Sequence, residues 1–225
     1  MKSEKLSIDI KTSSNNFIIV GKECEKIRIV SPLTSCLSNS FVKADEIARL
    51  SVYDCIANFH EGDKNYILYR DSFNLFSNTT KIEIPKDMIV NLRISAENSK
   101  VFIKDIIFET INITDVMGKV KIKDSHIDLM TIDGIAPNIS LIDLSGSKFD
   151  VHTGTGIIWL KGQIANDTSL TTEIGTISVN VLEEEKKNIS TDIEVKNLPH
   201  IVAKETKEKH LKVKNLHGKF YNNLF

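Results

Sequence analysis

The 225-residue chain contains no apolar run near the roughly 20 residues that a membrane-spanning helix needs. Its opening stretch, MKSEKLSIDIKTSSNN, carries charges but no apolar segment of signal-peptide type, which predicts no secretory leader and a cytoplasmic location. An excess of one charge sign is missing too. The 29 Lys and Arg against 30 Asp and Glu leave a formal net charge of −1, so the whole molecule has no electrostatic bias toward nucleic acid or an anionic membrane surface. Cysteine is sparse: Cys24, Cys36 and Cys55 are odd in number, and their spacings of 12 and 19 residues fit no metal-binding knuckle. Small buried thiols are expected of them, with one disulfide plus a free thiol as the alternative. Helix-favouring segments are scarce as well. What is abundant is alternation of apolar with polar residues, in LSIDI, KIRIV, KIEI, VNLRI, VKIK, HIDL and ISVNV. A period of two is the mark of a half-buried strand, so the chain is read as all-β.

The alternation is itself organised by a longer period. Stepping by 19 from Ile82 gives Val101, Val120, Ile139, Ile158 and Ile177; stepping from Ile84 gives Ile103, Ile122, Leu141, Leu160 and Val179. A second pair of columns keeps the same step. Ile94, Ile113, Ile132, Val151, Leu170 and Ile189 form one, and Phe73, Leu92, Ile111, Met130 and Phe149 form the other until Thr168 breaks it. Ser99, Gly118, Pro137, Gly156 and Gly175 recur as turn formers two residues ahead of the first column. One such turn of chain cannot bury its apolar face alone. Stacked in parallel at about 4.8 Å, successive turns make residues 19 apart neighbours and line up a continuous core of Ile, Val and Leu.

The expected fold is therefore a right-handed parallel β-helix, a solenoid with coils of about 19 residues. A left-handed β-helix uses hexapeptide steps, a leucine-rich repeat needs a frame absent here, and an antiparallel meander does not explain turns that recur with the columns. Three regions follow: 1–72 as an N-terminal β-rich cap or irregular coils, 73–190 as the regular β-helix, and 191–225 as a C-terminal strand, cap or docking arm. The stretch 41–59 suits a short helix or further strands, and Phe73 and Leu75 already stand in phase with the repeat. Residues 186–225 hold nine Lys against four acidic groups, which reads as a solvated face or, alternatively, an anionic contact surface.

The run KIEIPKDMIVNLRISAENSKVFIKDI resembles the opening of the prokaryotic families of unknown function labelled as adhesins, with a strand, a Pro-Lys turn and repeated short strands. The later IDLSGSKFDVHTGTGIIWLKG is similar to their rungs of strand, small residue, glycine and strand. The resemblance covers roughly residues 80–180 and implies a right-handed β-helix with short irregular coils. It implies no catalytic residue.

The same lattice brings titratable side chains into register. Asp105, Asp124 and Asp143 fall in one ladder, beside Lys104, Lys123, Ile142 and Lys161. Stacked carboxylates repel or hold a cation such as Ca²⁺, so these three are the weak metal candidates. The plainer expectation is that they end the first strand of each coil, accept backbone N–H bonds at the turn and are screened by lysine. Asp133 and His152 are 19 apart, with Asp150 nearby. A carboxylate beside an imidazole can orient a general base, but no Ser or Cys nucleophile joins it by spacing, and a surface ion pair is expected. His126, His200, His210 and His217 show no metal spacing.

Trp159 stands between Ile158 and Leu160 and so points outward, among Phe102, Lys121, Ser140 and Ser178; it is the contact-surface candidate. No catalytic, cofactor or definite metal site is assigned. The expected function is a non-catalytic structural or protein-binding module, self-association included. The alternatives are a carbohydrate-active β-helix enzyme, with carbohydrate as partner, and a filament protein similar to bactofilins.

Overall fold

The computed structural model describes residues 5–12, 16–25, 27–30, 53–61, 64–71, 79–114, 116–186, 189–195, 201–202 and 209–224. Cys36, Phe73, Leu75, His200 and most of the 41–59 stretch lie outside the described residues. The described chain is all-β apart from one helical turn, α1 (Glu183–Lys186). Its strands are β1 (Lys5–Thr12), β2 (Asn16–Lys22), β3 (Arg28–Val30), β4 (Tyr53–Glu61), β5 (Lys64–Asp71), β6 (Thr79–Pro85), β7 (Ile89–Ala96), β8 (Lys100–Lys104), β9 (Ile107–Thr114), β10 (Lys119–Gly134), β11 (Asn138–Gly162), β12 (Asp167–Val181), β13 (Ile189–Val195), β14 (Ile201–Val202) and β15 (Lys209–Asn222). All belong to one sheet, and its centre is parallel. No helix among the described residues is long and apolar enough to cross a membrane.

In the middle of the sheet the lattice is the one the sequence period requires. Val101 pairs with Val120 and Val120 with Ile139, while Ile113 pairs with Ile132, Ile132 with Val151, and Val151 with Leu170. These side chains are all buried, and residues between them on the strands face outward. β-Branched residues suit such ladders because their stiff side chains pack on like neighbours above and below. The turn column follows from backbone contact. A Cβ on Gly118 would collide with the Ser99 carbonyl oxygen, and one on Gly175 with that of Gly156. At these two glycines the chain crosses the neighbouring rung too closely for a side chain.

Within each of these turns one residue is spare. Between β7 and β9 the register advances from Val90–Phe108 to Asn91–Thr110, which leaves Glu109 as a bulge. From β9 to β10 both strands carry the extra residue, and the step holds at 19.

Both ends depart from the sequence arithmetic. Ile82 does not stack on Val101. β2 intrudes between β6 and β8, so Ile82 pairs with Ile19 and Ile19 with Ile103, while Phe17 lies between Thr80 and Val101. On the other side of the coil, β1 pairs in parallel with β7, Ile8 against Leu92 and Ile10 against Ile94, and β4 and β5 extend that edge antiparallel. The C-terminus repeats the manoeuvre. β15 lies between β12 and β13, so the column runs Leu170, Val213, Ile193, and Ile189 pairs with Lys209 instead of following Leu170. An intruding strand with the right alternation satisfies the same ladder bonds as the next turn of chain, and periodicity alone cannot tell the two apart.

Candidate functional site

Three surface features carry polar or exposed apolar groups on this lattice. The first is the corner between the two strands of each coil. Asp105, Asp124 and Asp143 occupy it with φ of 58°, 49° and 50°, and the next residue in the column is Gly162 with φ of 90°. The corner demands a left-handed backbone, which a short polar side chain tolerates and glycine adopts freely. Lys104 Nζ stands 3.1 Å from Asp105 Oδ2 and 3.8 Å from Asp124 Oδ2, and Lys123 Nζ stands 3.1 Å from Asp124 Oδ2. Beneath them Ser125 Oγ donates to the Lys123 carbonyl at 2.9 Å and accepts from the Ile106 N–H at 3.3 Å, which ties two rungs together. The Asp143 carboxylate occupies the space over Gly162 where a Cβ would be, so that glycine is required twice over. Lysine thus flanks two of the three carboxylates, Asp105 and Asp124. Among the described residues no three His, Cys, Asp or Glu side chains are grouped so as to hold a metal ion.

The second feature is a set of polar pairs on the exposed sides. His152 Nδ1 lies 3.0 Å from Asp133 Oδ1, on adjacent rungs, with both groups open to solvent. His126 Nε2 lies 3.3 Å from Asp128, and His210 Nδ1 3.5 Å from Asp167. A more connected group surrounds the Glu109 bulge. Lys5 Nζ donates to both Glu109 oxygens at 2.9 and 3.0 Å, Asn91 Nδ2 donates at 2.9 Å, and Thr110 Oγ1 donates to Asn91 Oδ1 at 2.6 Å. The hydrogen bond from Lys5, then that from Asn91, then the Lys5 charge hold the Glu109 carboxyl below its ordinary value. This network fastens β1 to β7 and β9. Its components are 104 residues apart in sequence, and nothing in the period announces it.

The third feature is apolar and exposed. Trp159 is 60% accessible on the outward side of β11, the side that alternation assigns to it. Its rung neighbours in the outward column are Ser140 and Ser178, too small to cover the indole. Further along the same column, Phe102 is covered by Lys121, whose Nζ lies 5.8 Å from the ring centroid. In the opposite direction Ser178 pairs with Tyr221, which is 54% accessible. Ile157, two residues before Trp159 on the same side, is 44% accessible. Trp159 and Ile157 are thus exposed apolar neighbours on β11, with Tyr221 exposed two rungs away beyond Ser178. Ile157 was legible from alternation. Tyr221 was not, because it reaches its place through β15, 43 residues after Ser178 instead of 19.

Cys24, in the turn after β2, is half-buried and free of any disulfide. Cys55 lies in β4, opposite Tyr69.

A stack of short parallel strands with flat exposed sides and a regular corner is the build of a repetitive β module. Residues 2–197 match the model of the Toastrack DUF4097 family, and the chain belongs to that family, whose function is uncharacterised. No curated protein and no solved structure matches the chain.

Proposed function

We propose that the chain is a non-catalytic structural and protein-binding β-solenoid module that recognises its partner, a second copy included, through the Trp159 face. The observation that carries the reading is the exposure of Trp159, Ile157 and Tyr221 on a sheet whose other large apolar side chains mostly lie in one buried cluster. Trp and Tyr are enriched at the buried centres of interfaces, and with two side-chain torsions they lose little freedom on contact. A right-handed winding of the coils is part of the proposal. Parallel strands joined by a crossover take that hand almost without exception in twisted sheets.

Trp159 is the single tryptophan of the chain, so its emission reports on this face alone. Self-recognition through the face predicts a rise in scattering mass with concentration, a blue shift of the emission in step with it, and loss of the mass increase in the Ile157→Ser and Trp159→Ser variants. A mass that rises equally in these variants, or emission that stays unshifted as the mass rises, contradicts the proposal.

A second reading has one observation in its favour. Trp159 and Tyr221 lie two rungs apart with Ser178 between them, about 9.6 Å at the ordinary strand spacing, a flat pair suited to sugar rings. Quenching of the Trp159 emission by soluble polysaccharides, absent with monosaccharides, would favour carbohydrate over protein.

A further inference from the structure

β15 is the last strand in sequence but not the last in the stack. It lies between β12 and β13, parallel to both, with Leu170 on one side of Val213 and Ile193 on the other. The strands it separates retain the pattern of direct neighbours. Val151, Leu170 and Ile189 stand 19 apart, as do Thr153, Thr172 and Thr191. The first two threonines already share a buried hydrogen bond, Thr153 Oγ1 to Thr172 Oγ1 at 3.1 Å.

Among the described residues, three of the four buried side-chain atoms without a hydrogen-bond partner lie in the layer around β15, the fourth being Ser99 Oγ. Thr168 Oγ1, Thr191 Oγ1 and Asn215 Oδ1 are buried without a hydrogen-bond partner. Thr168 and Thr191 flank Leu211 of β15 from opposite sides, and Asn215 belongs to β15 itself. Asn215 Nδ2 does donate to the Gly175 and Lys219 carbonyls at 3.3 and 3.0 Å, but the two hydroxyls and the Asn215 carbonyl oxygen forgo the bonds that water supplies, which weakens the seated arrangement. With β15 withdrawn, β13 has a second seat on β12 in which Ile189 follows Leu170 and Thr191 extends the threonine ladder. Two competing registers for one strand make a bistable element.

We infer that the slot between β12 and β13 is a strand-docking site whose occupant exchanges, and that its partner is β15 of a second copy of this chain. The argument for that occupant is complementarity already on display. β15 fills the slot with ladder pairing to β12 from His210 and to β13 from Lys209 to Asn215, and it continues along β12 to Asn222. The inference goes beyond the Trp159 face and does not rest on it.

The test uses the full chain with a fluorescent synthetic peptide spanning residues 209–225. Ser169 and Lys212 are opposite each other on β12 and β15, both outward, so the Ser169→Cys/Lys212→Cys variant closes a disulfide that holds β15 in place. Exchange predicts that the peptide is incorporated into the wild-type chain on prolonged incubation, at one peptide per chain. Incorporation falls to background in the oxidised variant and returns on reduction. No incorporation into the wild-type or reduced chain, or equal incorporation into the oxidised chain, overturns the inference. The result is independent of Trp159 emission, so failure here and failure of the surface reading are told apart.

Discussion

The middle of the molecule and its two ends are built from the same alternating strands, yet they obey different connection rules. From β8 to β12 each turn of chain lies on the preceding one, and residue numbers rise by 19 per rung. At the N-terminal end β2 slips between β6 and β8; at the C-terminal end β15 slips between β12 and β13. The difference teaches that the ladder specifies alternation and shape, not chain order. A buried core of Ile, Val and Leu accepts any strand that offers the same face. The C-terminal end also has the more polar interior: Thr168, Thr172, Thr191 and Asn215 are buried there, against Ser125 and Thr153 in β10 and β11.

Substitutions can break or sharpen that contrast. The largest effect is expected from Ile122→Asp, which puts a carboxylate between Ile103 and Leu141 in the apolar middle. It should cost more than about 4 kcal/mol and abolish the cooperative thermal transition. Native melting in that variant would contradict the column assignment. At the corner, Asp124→Ala should lose about 1 kcal/mol in urea titration because its backbone is left-handed, whereas Asp124→Asn should lose much less. Equal losses in the two variants would show that the carboxylate charge matters more than the turn.

At the C-terminal end the sign should reverse. Thr168→Val removes a buried, unpartnered hydroxyl and should stabilise by up to about 1 kcal/mol, where the same change at a hydrogen-bonded Thr153 should not. The smallest effect concerns the N-terminal clasp. The Glu109 carboxyl is held below its ordinary value by Lys5 and Asn91. The folded state therefore gains from its ionised form above the unfolded value near 4.5, and the gain disappears as pH falls through the lowered one. Melting temperatures of the wild type and Glu109→Gln should differ slightly at neutral pH and converge in acid. A difference that persists unchanged in acid would assign the effect to packing.

Sequence made the central rungs legible because each column there is contiguous in number. It also made legible the outward side of Trp159 and the adjacency of Asp133 and His152. The Asp105, Asp124 and Asp143 ladder could be found by spacing, but not its left-handed backbone, which alternation does not encode. Ile82 and Ile189 both lie away from the seats their spacing predicts, for one reason. Each keeps the phase of its column while a distant strand occupies the neighbouring seat. Tyr221 and the Lys5–Glu109 clasp were invisible for the same reason, since both depend on strands that arrive out of order.

The most direct measurement of this account compares two cysteine pairs, each 19 residues apart in sequence. Lys121→Cys/Ser140→Cys joins outward neighbours on adjacent central rungs, and Lys81→Cys/Lys100→Cys spans the place where β2 intrudes. On mild oxidation the first pair should form an intramolecular disulfide and the second should stay reduced. Ready closure of both pairs, or failure of the first, would contradict stacked central turns bounded by intruding strands.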